Sequence, residues 1–129
     1  TPYGDAPAFS VWINHRKTYT GITDDDRSIT MTEFAKMVKA DGKTMQADFT
    51  KSFYAPGHVP LLVSRSLKKR SGHTELVVAL AQAAGLPPAV VVCEMLDDDG
   101  KAMGWKKAKE LASRHGWFAA AGPELKKKL

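Results

Sequence analysis

The stretch RSGHTELVVALAQAAGLPPAVVVCEML, residues 70–96, sets the expected order of helix and strand in the fold. Its first half places apolar residues at helical spacing after a Gly-His-Thr turn, and Gly85, followed by two prolines, ends that pattern. Residues 89–95 form a continuous apolar run rich in β-branched side chains, which is typical of a strand buried on both faces. The stretch therefore predicts a helix that ends at Gly85 and a buried strand after it.

Four further segments have the periodicity of regular structure. They are strands at AFSVWIN (8–14) and HVPLLVSR (58–65), a helix over 31–40 ended by Gly42, and a helix over 105–114 ended by Gly116. The first of these helices is expected to begin at a capping box formed by Thr30 and Glu33. This alternation of strands and helices indicates an α/β or α+β layer fold.

The composition is that of a soluble globular domain. The 129 residues are 43% hydrophobic and 26% charged, and no apolar run approaches the length needed to cross a bilayer. No secretory signal pattern opens the sequence, and the single cysteine cannot form an internal disulfide, so a cytoplasmic location is expected.

The net charge of +5 lies from Gly104 onward, which is more typical of a solvated helix face and a frayed terminus than of a nucleic-acid-binding stripe. Neither a nucleic acid nor a membrane is expected as a partner.

The start of the predicted helix, RSGHTE at 70–75, has the composition of an anion site. Backbone N–H groups at a helix N-terminus are unpaired and carry partial positive charge, Arg70 can bind a phosphate with two donors, and Gly72 lets a ligand come close. Thr74 adds a hydroxyl. The alternative, favoured for this stretch alone, is that Thr74 caps the helix, Glu75 stabilises its first turn and Arg70 is a surface charge.

Three other residues are candidates for chemistry. His58 and His73 each follow a glycine beside the end of a predicted element, although a lone histidine is more often structural, and their spacing does not predict a zinc site. Glu94 interrupts the apolar run, where a partly buried carboxylate would suit a general acid or base; the alternative is that the strand ends at Cys93 and Glu94 is solvated. Cys93 is expected in the core rather than as a nucleophile.

Four motifs occur in order along the chain: TGITDDDRS at 20–28, PGHVPLL at 56–62, RSGHTELVVALAQAAG at 70–85 and VVCEMLDDDGKAM at 91–103. Together they resemble 3,4-dihydroxy-2-butanone 4-phosphate synthase, a family of riboflavin biosynthesis, in its archaeal single-function form. The resemblance covers Ala8 to Met103 and is looser beyond. It implies an α+β fold in which a mixed β-sheet is layered with helices.

The resemblance also implies a lyase that converts D-ribulose 5-phosphate to formate and L-3,4-dihydroxy-2-butanone 4-phosphate, with Mg²⁺ or Mn²⁺ as cofactor. By resemblance, His58 and Glu94 are catalytic and His73 is the metal ligand. The residues that surround the substrate and its phosphate are then Arg70, Ser71, Gly72, His73, Thr74 and, in the TGIT loop, Thr20. The aspartate runs at 24–26 and 97–99 match other family positions and are not assigned as ligands.

The sequence departs from the family at its start. Family members begin with an acidic segment whose glutamate completes the metal site, and this sequence does not contain it. Residues 1–129 are therefore expected to be a single domain, the C-terminal portion of the synthase domain. The resemblance implies a homodimer with shared active sites, in which His58 resembles the residue offered across the interface. A non-catalytic phosphate-binding fragment is the alternative function, and a basic nucleic-acid-binding module is a less favoured one.

Overall fold

A computed structural model describes Gly4 and residues 6–39 and 44–129 of the chain. In chain order the elements are β1 (Phe9–His15), α1 (Asp24–Lys39), α2 (Met45–Ser52), β2 (Phe53–Leu62), α3 (His73–Ala83), α4 (Trp105–His115) and α5 (Gly122–Lys126). The predicted α+β class is confirmed. In the described residues, however, the sheet consists of β1 and β2 alone, and these pair antiparallel rather than forming a mixed sheet.

The paired strands form the centre of the core. Their register places Ile13 opposite Val59 and His15 opposite Phe53, with an irregularity between Ile13 and Asn14. Ile13, Phe53 and Val59 are buried together. The partly buried side chains that pack against them are Met31, Phe34, Met37, Phe49 and Leu61. The core therefore lies between the two strands and the helices α1 and α2.

Helix α1 begins before the expected capping box. Thr30 and Glu33 do not start it; the helix starts at Asp24, and the Asp26 N–H donates to Thr23 Oγ1 at 3.2 Å. Three aspartates occupy the first turn, where negative side chains interact favourably with the positive end of the helix dipole. The cap at Thr23 and this acidic turn together favour the earlier start.

Thr30 instead joins α1 to β1. The residue is fully buried, and its hydroxyl donates to the Asp26 carbonyl at 3.0 Å and accepts the His15 N–H at 3.1 Å. Thr30 therefore stabilises the packing of α1 against β1, a tertiary contact that a local capping pattern does not reveal. The expected end of this helix, at Ala40 and Gly42, lies outside the described residues.

The remaining predicted boundaries are confirmed or shifted. Helix α3 ends before Gly85, and α4 ends at Gly116, whose φ of 66° is the left-handed conformation that glycine favours. Strand β2 begins at Phe53 and ends at Leu62, both earlier than predicted. Helix α2 has no counterpart among the predicted elements. No helix in the described part of the chain is long and apolar enough to span a membrane.

The prediction of a buried strand over residues 89–95 is wrong. No strand forms there, and the nearby Leu96 makes only an isolated bridge with Ala102. Val91 is 68% exposed, and Cys93 is exposed rather than in the core. A strand buried on both faces needs neighbouring strands, but in the described residues β1 and β2 pair only with each other. The run therefore has no strand against which to pair.

Candidate functional site

The predicted site residues lie in three places. His58 on β2 and Thr20 in the loop before α1 are both hydrogen-bonded to Asn14. The second group lies at and just before the start of α3 and consists of Arg70, Ser71, Gly72, His73 and Thr74. Glu94 is exposed, so the expectation of a partly buried carboxylate at a strand end is wrong; the residue is solvated, but no strand ends at Cys93 as the alternative supposed. Its side chain makes no hydrogen bond within the part of the chain described.

Asn14 is the centre of the first group. It is 2% exposed, and its Oδ1 accepts the His58 N–H at 2.8 Å. Its Nδ2 has three acceptors in reach for its two hydrogens: the Tyr54 hydroxyl at 3.0 Å, His58 Nδ1 at 3.1 Å and the Thr20 carbonyl at 3.5 Å. A single buried amide therefore joins β1 to β2 and to the loop that carries Thr20.

Two glycines of the sequence motifs make room for this arrangement. Gly21 has a φ of 86°, and a Cβ there would lie 2.0 Å from Asn14 Nδ2. A Cβ at Gly57 would lie 2.0 Å from the Ile13 carbonyl carbon. Both distances are shorter than any tolerable contact, so the loop and β2 can approach β1 this closely only with glycine at both positions.

The loop that carries Thr20 is held by Asp26. This buried carboxylate accepts the N–H groups of Tyr19 at 3.2 Å, Thr20 at 3.0 Å and Gly21 at 2.7 Å, and the Thr20 hydroxyl at 3.3 Å. The Gly21 N–H does most to lower the pKa of Asp26; burial opposes it, and the Tyr19 and Thr20 donors add to the lowering. Asp26 is therefore ionised at neutral pH and fixes the position of Thr20.

The start of α3 is built on a buried ion pair. Glu75 is 1% exposed; it accepts the Arg65 N–H at 3.1 Å, Arg70 Nη1 at 2.5 Å and the Gly72 N–H at 3.2 Å. Burial would raise the pKa of Glu75, but the hydrogen bonds from Arg65 and Arg70 outweigh it and hold that pKa below its ordinary value. A Cβ at Gly72 would lie 2.7 Å from Arg70 Nη1, so Gly72 makes room for the guanidinium.

These contacts revise the two sequence interpretations of this stretch. Arg70 is not a surface charge, because its side chain is 15% exposed and paired with Glu75. Glu75, rather than Thr74, binds the free N–H before the first turn. Thr74 makes no hydrogen bond within the described residues and lines a cavity of about 490 Å³ whose other walls are mainly apolar.

The other two members of the group are accessible. His73 is the first residue of α3 and is exposed. Ser71 is also exposed; its hydroxyl donates to the Leu67 carbonyl at 3.1 Å and accepts Lys126 Nζ at 2.8 Å. Lys126 belongs to α5, so part of the basic C-terminus contacts the candidate site instead of fraying as expected.

The described residues do not complete a metal site. Among them, no group of three His, Cys, Asp or Glu side chains could hold a metal ion. His73 offers one imidazole, whereas Mg²⁺ requires an octahedral set of mostly oxygen ligands. The residues present therefore do not by themselves fit Mg²⁺ or Mn²⁺.

Sequence reasoning missed two residues that organise these groups, Asn14 and Asp26, and named Glu75 only as a residue that stabilises the first turn of its helix. Glu75 had a usable signal, because an acidic residue three positions after the helix cap is a common N-terminal pattern. Asp26 lies within a run of three aspartates, and nothing local distinguishes the buried member. Asn14 is a polar residue in a strand, and its function depends on contacts distant in sequence.

The sequence profile of one protein family, described as 3,4-dihydroxy-2-butanone 4-phosphate synthase, matches residues 3–127. Proteins of that name from Methanosarcina mazei and Archaeoglobus fulgidus are 44% identical over 126 residues and 45% identical over 117 residues. These alignments cover 95% and 88% of this chain but 51% and 49% of the two proteins. The chain thus spans about half the length of the curated relatives it matches.

Solved structures give the same relationship. A 3,4-dihydroxy-2-butanone 4-phosphate synthase of Candida albicans superposes with a TM-score of 0.75 at 31% identity, covering 99% of this chain and 63% of that one. RibBX, a two-domain synthase of the same name from A. baumannii, superposes with a TM-score of 0.71 at 28% identity, covering 88% and 32% of the two chains. The chain therefore has the fold of the part of each structure that it covers.

Proposed function

The chain belongs to the 3,4-dihydroxy-2-butanone 4-phosphate synthase family, and on that basis we propose that its protein is the lyase that converts D-ribulose 5-phosphate to formate and L-3,4-dihydroxy-2-butanone 4-phosphate. The family match over residues 3–127 carries the proposal, because it includes every candidate site residue. The reaction divides a five-carbon phosphate into a four-carbon phosphate and a one-carbon acid. It therefore needs proton transfers, stabilisation of an enediolate and an anchor for the phosphate.

We assign the proton transfers to His58 and Glu94. Both side chains are exposed and so accessible to a substrate. His58 is held by Asn14 through its backbone N–H and its ring, which supports a fixed position for proton transfer. Thr20 lies on the other side of the same amide, and we propose that it contacts the substrate from the loop fixed by Asp26.

We propose that the start of α3 anchors the phosphate. The N–H groups of its first turn have no intrahelical acceptor, and the dipole of the helix favours an anion there. Ser71 and His73 are exposed beside these groups, and Lys126 adds a positive charge at Ser71. Because Arg70 is paired with Glu75, we expect it to shape the anchor together with Gly72 as well as to attract the phosphate. Thr74 stays a predicted substrate contact.

The remaining assignments follow from the resemblance. We propose Mg²⁺ or Mn²⁺ as the cofactor, with His73 as one ligand; since the described residues do not supply a full ligand set, no step is assigned to the metal. Three assignments stay predictions. They are a homodimer with shared active sites, a cytoplasmic location, and the assignment of residues 1–129 to the C-terminal portion of a synthase domain. Family membership does not favour the nucleic-acid-binding alternative.

The decisive experiment measures formate released from ribulose 5-phosphate by the full-length protein with Mg²⁺ or Mn²⁺. His73→Ala should lower the rate at least about 100-fold, as expected when a group that supports charge stabilisation at the reacting centre is lost. His115→Ala is the matched control, because His115 is also exposed and lies at the far end of α4. A wild-type protein that releases no formate contradicts the proposed function, and equal rates for His73→Ala and wild type contradict the role of His73.

A further inference from the structure

We infer that Asn14 is a positioning residue that sets which ring nitrogen of His58 carries the proton. The inference rests on the proposed function, in which His58 acts on the substrate. In the resting protein Nδ1 is an acceptor bound to Asn14, and Nε2 carries the proton. The exposed side of the ring is then a hydrogen-bond donor toward a substrate oxygen.

The first step fixes the orientation of the Asn14 amide. The His58 backbone N–H can only donate, and it lies 2.8 Å from one amide atom of Asn14. That atom must be the carbonyl oxygen Oδ1, because the NH₂ group of an amide has no acceptor capacity. The contact with the His58 backbone N–H therefore fixes which of the two amide atoms of Asn14 is the oxygen and which is the nitrogen.

The second step follows from that orientation. The NH₂ group of Asn14 lies 3.1 Å from His58 Nδ1, and it can only donate. The two amide hydrogens go to the two nearest acceptors, the Tyr54 hydroxyl at 3.0 Å and Nδ1, and the Thr20 carbonyl at 3.5 Å is the longest of the three contacts. In this arrangement Nδ1 is unprotonated, and a neutral imidazole carries its hydrogen on Nε2. Within the described residues Nε2 has no hydrogen-bond partner, so it is left for a ligand.

The same amide can also follow the ring through a proton transfer. Asn14 Oδ1 lies 3.3 Å from His58 Nδ1, slightly farther than the NH₂ group. If Nδ1 becomes protonated, Oδ1 is in place to accept that hydrogen. A ring protonated on both nitrogens can give its Nε2 proton to the substrate, which leaves a neutral ring with hydrogen on Nδ1, and the same Nε2 can then take a proton back. Asn14 Oδ1 accepts the Nδ1 hydrogen throughout this exchange, so the support needs no rearrangement during the transfer.

The support itself is rigid. Asn14 is buried, its NH₂ group also donates to the Tyr54 hydroxyl at 3.0 Å, and Gly21 packs directly against it. Buried polar groups that are fully hydrogen-bonded specify one arrangement. Asn14 therefore cannot turn over without breaking the His58 N–H contact.

The test is Asn14→Asp in the full-length protein, read by the ¹⁵N chemical shifts of the His58 ring in the absence of substrate. Aspartate keeps the shape and the acceptor for the His58 N–H but replaces the donor to Nδ1 by a second acceptor. We expect the Nε2–H form in the wild type and the Nδ1–H form in Asn14→Asp. Gln82→Glu, the same amide-to-carboxylate change at an exposed position of α3, should leave the His58 spectrum unchanged.

Formate release provides the second readout. For Asn14→Asp we expect kcat to fall roughly 100-fold, because proton transfer is altered, and KM to rise as well, because the donor to the Thr20 carbonyl is lost. A wild-type Nδ1–H spectrum, an unchanged spectrum in Asn14→Asp, or an unchanged kcat despite a changed spectrum would each overturn the inference. If the wild type releases no formate, the proposed function fails while the resting ring state is still determined, so the two failures are distinguishable.

Discussion

Residues 8–14 and 89–95 both have the pattern of a strand, but only the first segment forms one. Strand β1 pairs with β2 and buries Ile13 and Asn14, whereas Val90, Val91 and Val92 stay exposed and unpaired in the described structure. The two segments differ in their partners and not in their local preference for extended structure. An apolar β-branched run indicates that a segment favours a buried, extended conformation. Whether the segment is buried depends on the neighbouring strands and helices of the fold.

The largest difference between the two regions is expected at a pair of glycines with left-handed backbones. Gly21, against Asn14, has a φ of 86°, and Gly100, in the turn after the 89–95 run, has a φ of 80°. Gly100→Ala should cost about 1–2 kcal/mol of unfolding free energy, from backbone strain alone, because nothing lies within 4 Å of its Cβ. Gly21→Ala should cost a further 1–3 kcal/mol or so, because the Cβ would displace Asn14 and leave buried groups unsatisfied.

Urea denaturation of the two variants provides the measurement. Equal losses of unfolding free energy would mean that the loop and β1 can separate without cost. The close approach at Asn14 would then contribute nothing to the stability of the first region.

A second comparison uses one chemical change at two valines. Val59 is 8% exposed in the core with Ile13 and Phe53, and Val91 is 68% exposed. Val59→Ala should lower the free energy of unfolding by about 2 kcal/mol, since it removes buried methyl groups and leaves a cavity. Val91→Ala should change it by less than about 0.5 kcal/mol. A comparable loss at Val91 would show that the 89–95 run is buried in solution.

The local signals in the sequence predicted the elements whose ends are set by nearby residues. Gly85 and Gly116 end α3 and α4 as expected, because helix termination depends on backbone conformation at one position. The predicted start of α1 was wrong because Thr23 and Thr30 are both acceptable caps. Which of the two caps the helix depends on the contact of Thr30 with β1. Local preference could not separate them.

The candidate site was predicted less completely than the helices. The motif residues His58 and Thr20 were identified, but the side chain that joins them, Asn14, was not. Its hydrogen bonds cross the sheet to Tyr54 and His58, which are distant in sequence. A single sequence does not indicate which distant residues will be in contact. Similarly, the expected burial of Glu94 required neighbouring strands for the 89–95 run, and the described structure does not provide them.

The smallest expected effect is the dependence of stability on pH through His15, the buried histidine at the end of β1. Burial lowers the pKa of His15, the charge of Glu33 opposes this, and Lys17 adds to the lowering. The unfolded chain, with an ordinary histidine pKa near about 6.5, therefore binds more protons just below that pH than the folded chain does. Stability contributed by neutral His15 is complete above about pH 6.5 and is lost as the pH falls toward the lower folded pKa.

Urea denaturation between pH 5 and 7.5, as an approximate range on either side of the ordinary histidine pKa, should show unfolding free energy rising with pH in the wild type. His15→Gln should flatten that rise, whereas His115→Gln, at an exposed position of α4, should leave it unchanged. The change in slope cannot exceed that of one bound proton, about 1.4 kcal/mol per pH unit. An unaltered slope in His15→Gln would mean that the folded protein admits the charged ring without cost. The region around β1 would then be no more closed to water than the exposed run at 89–95.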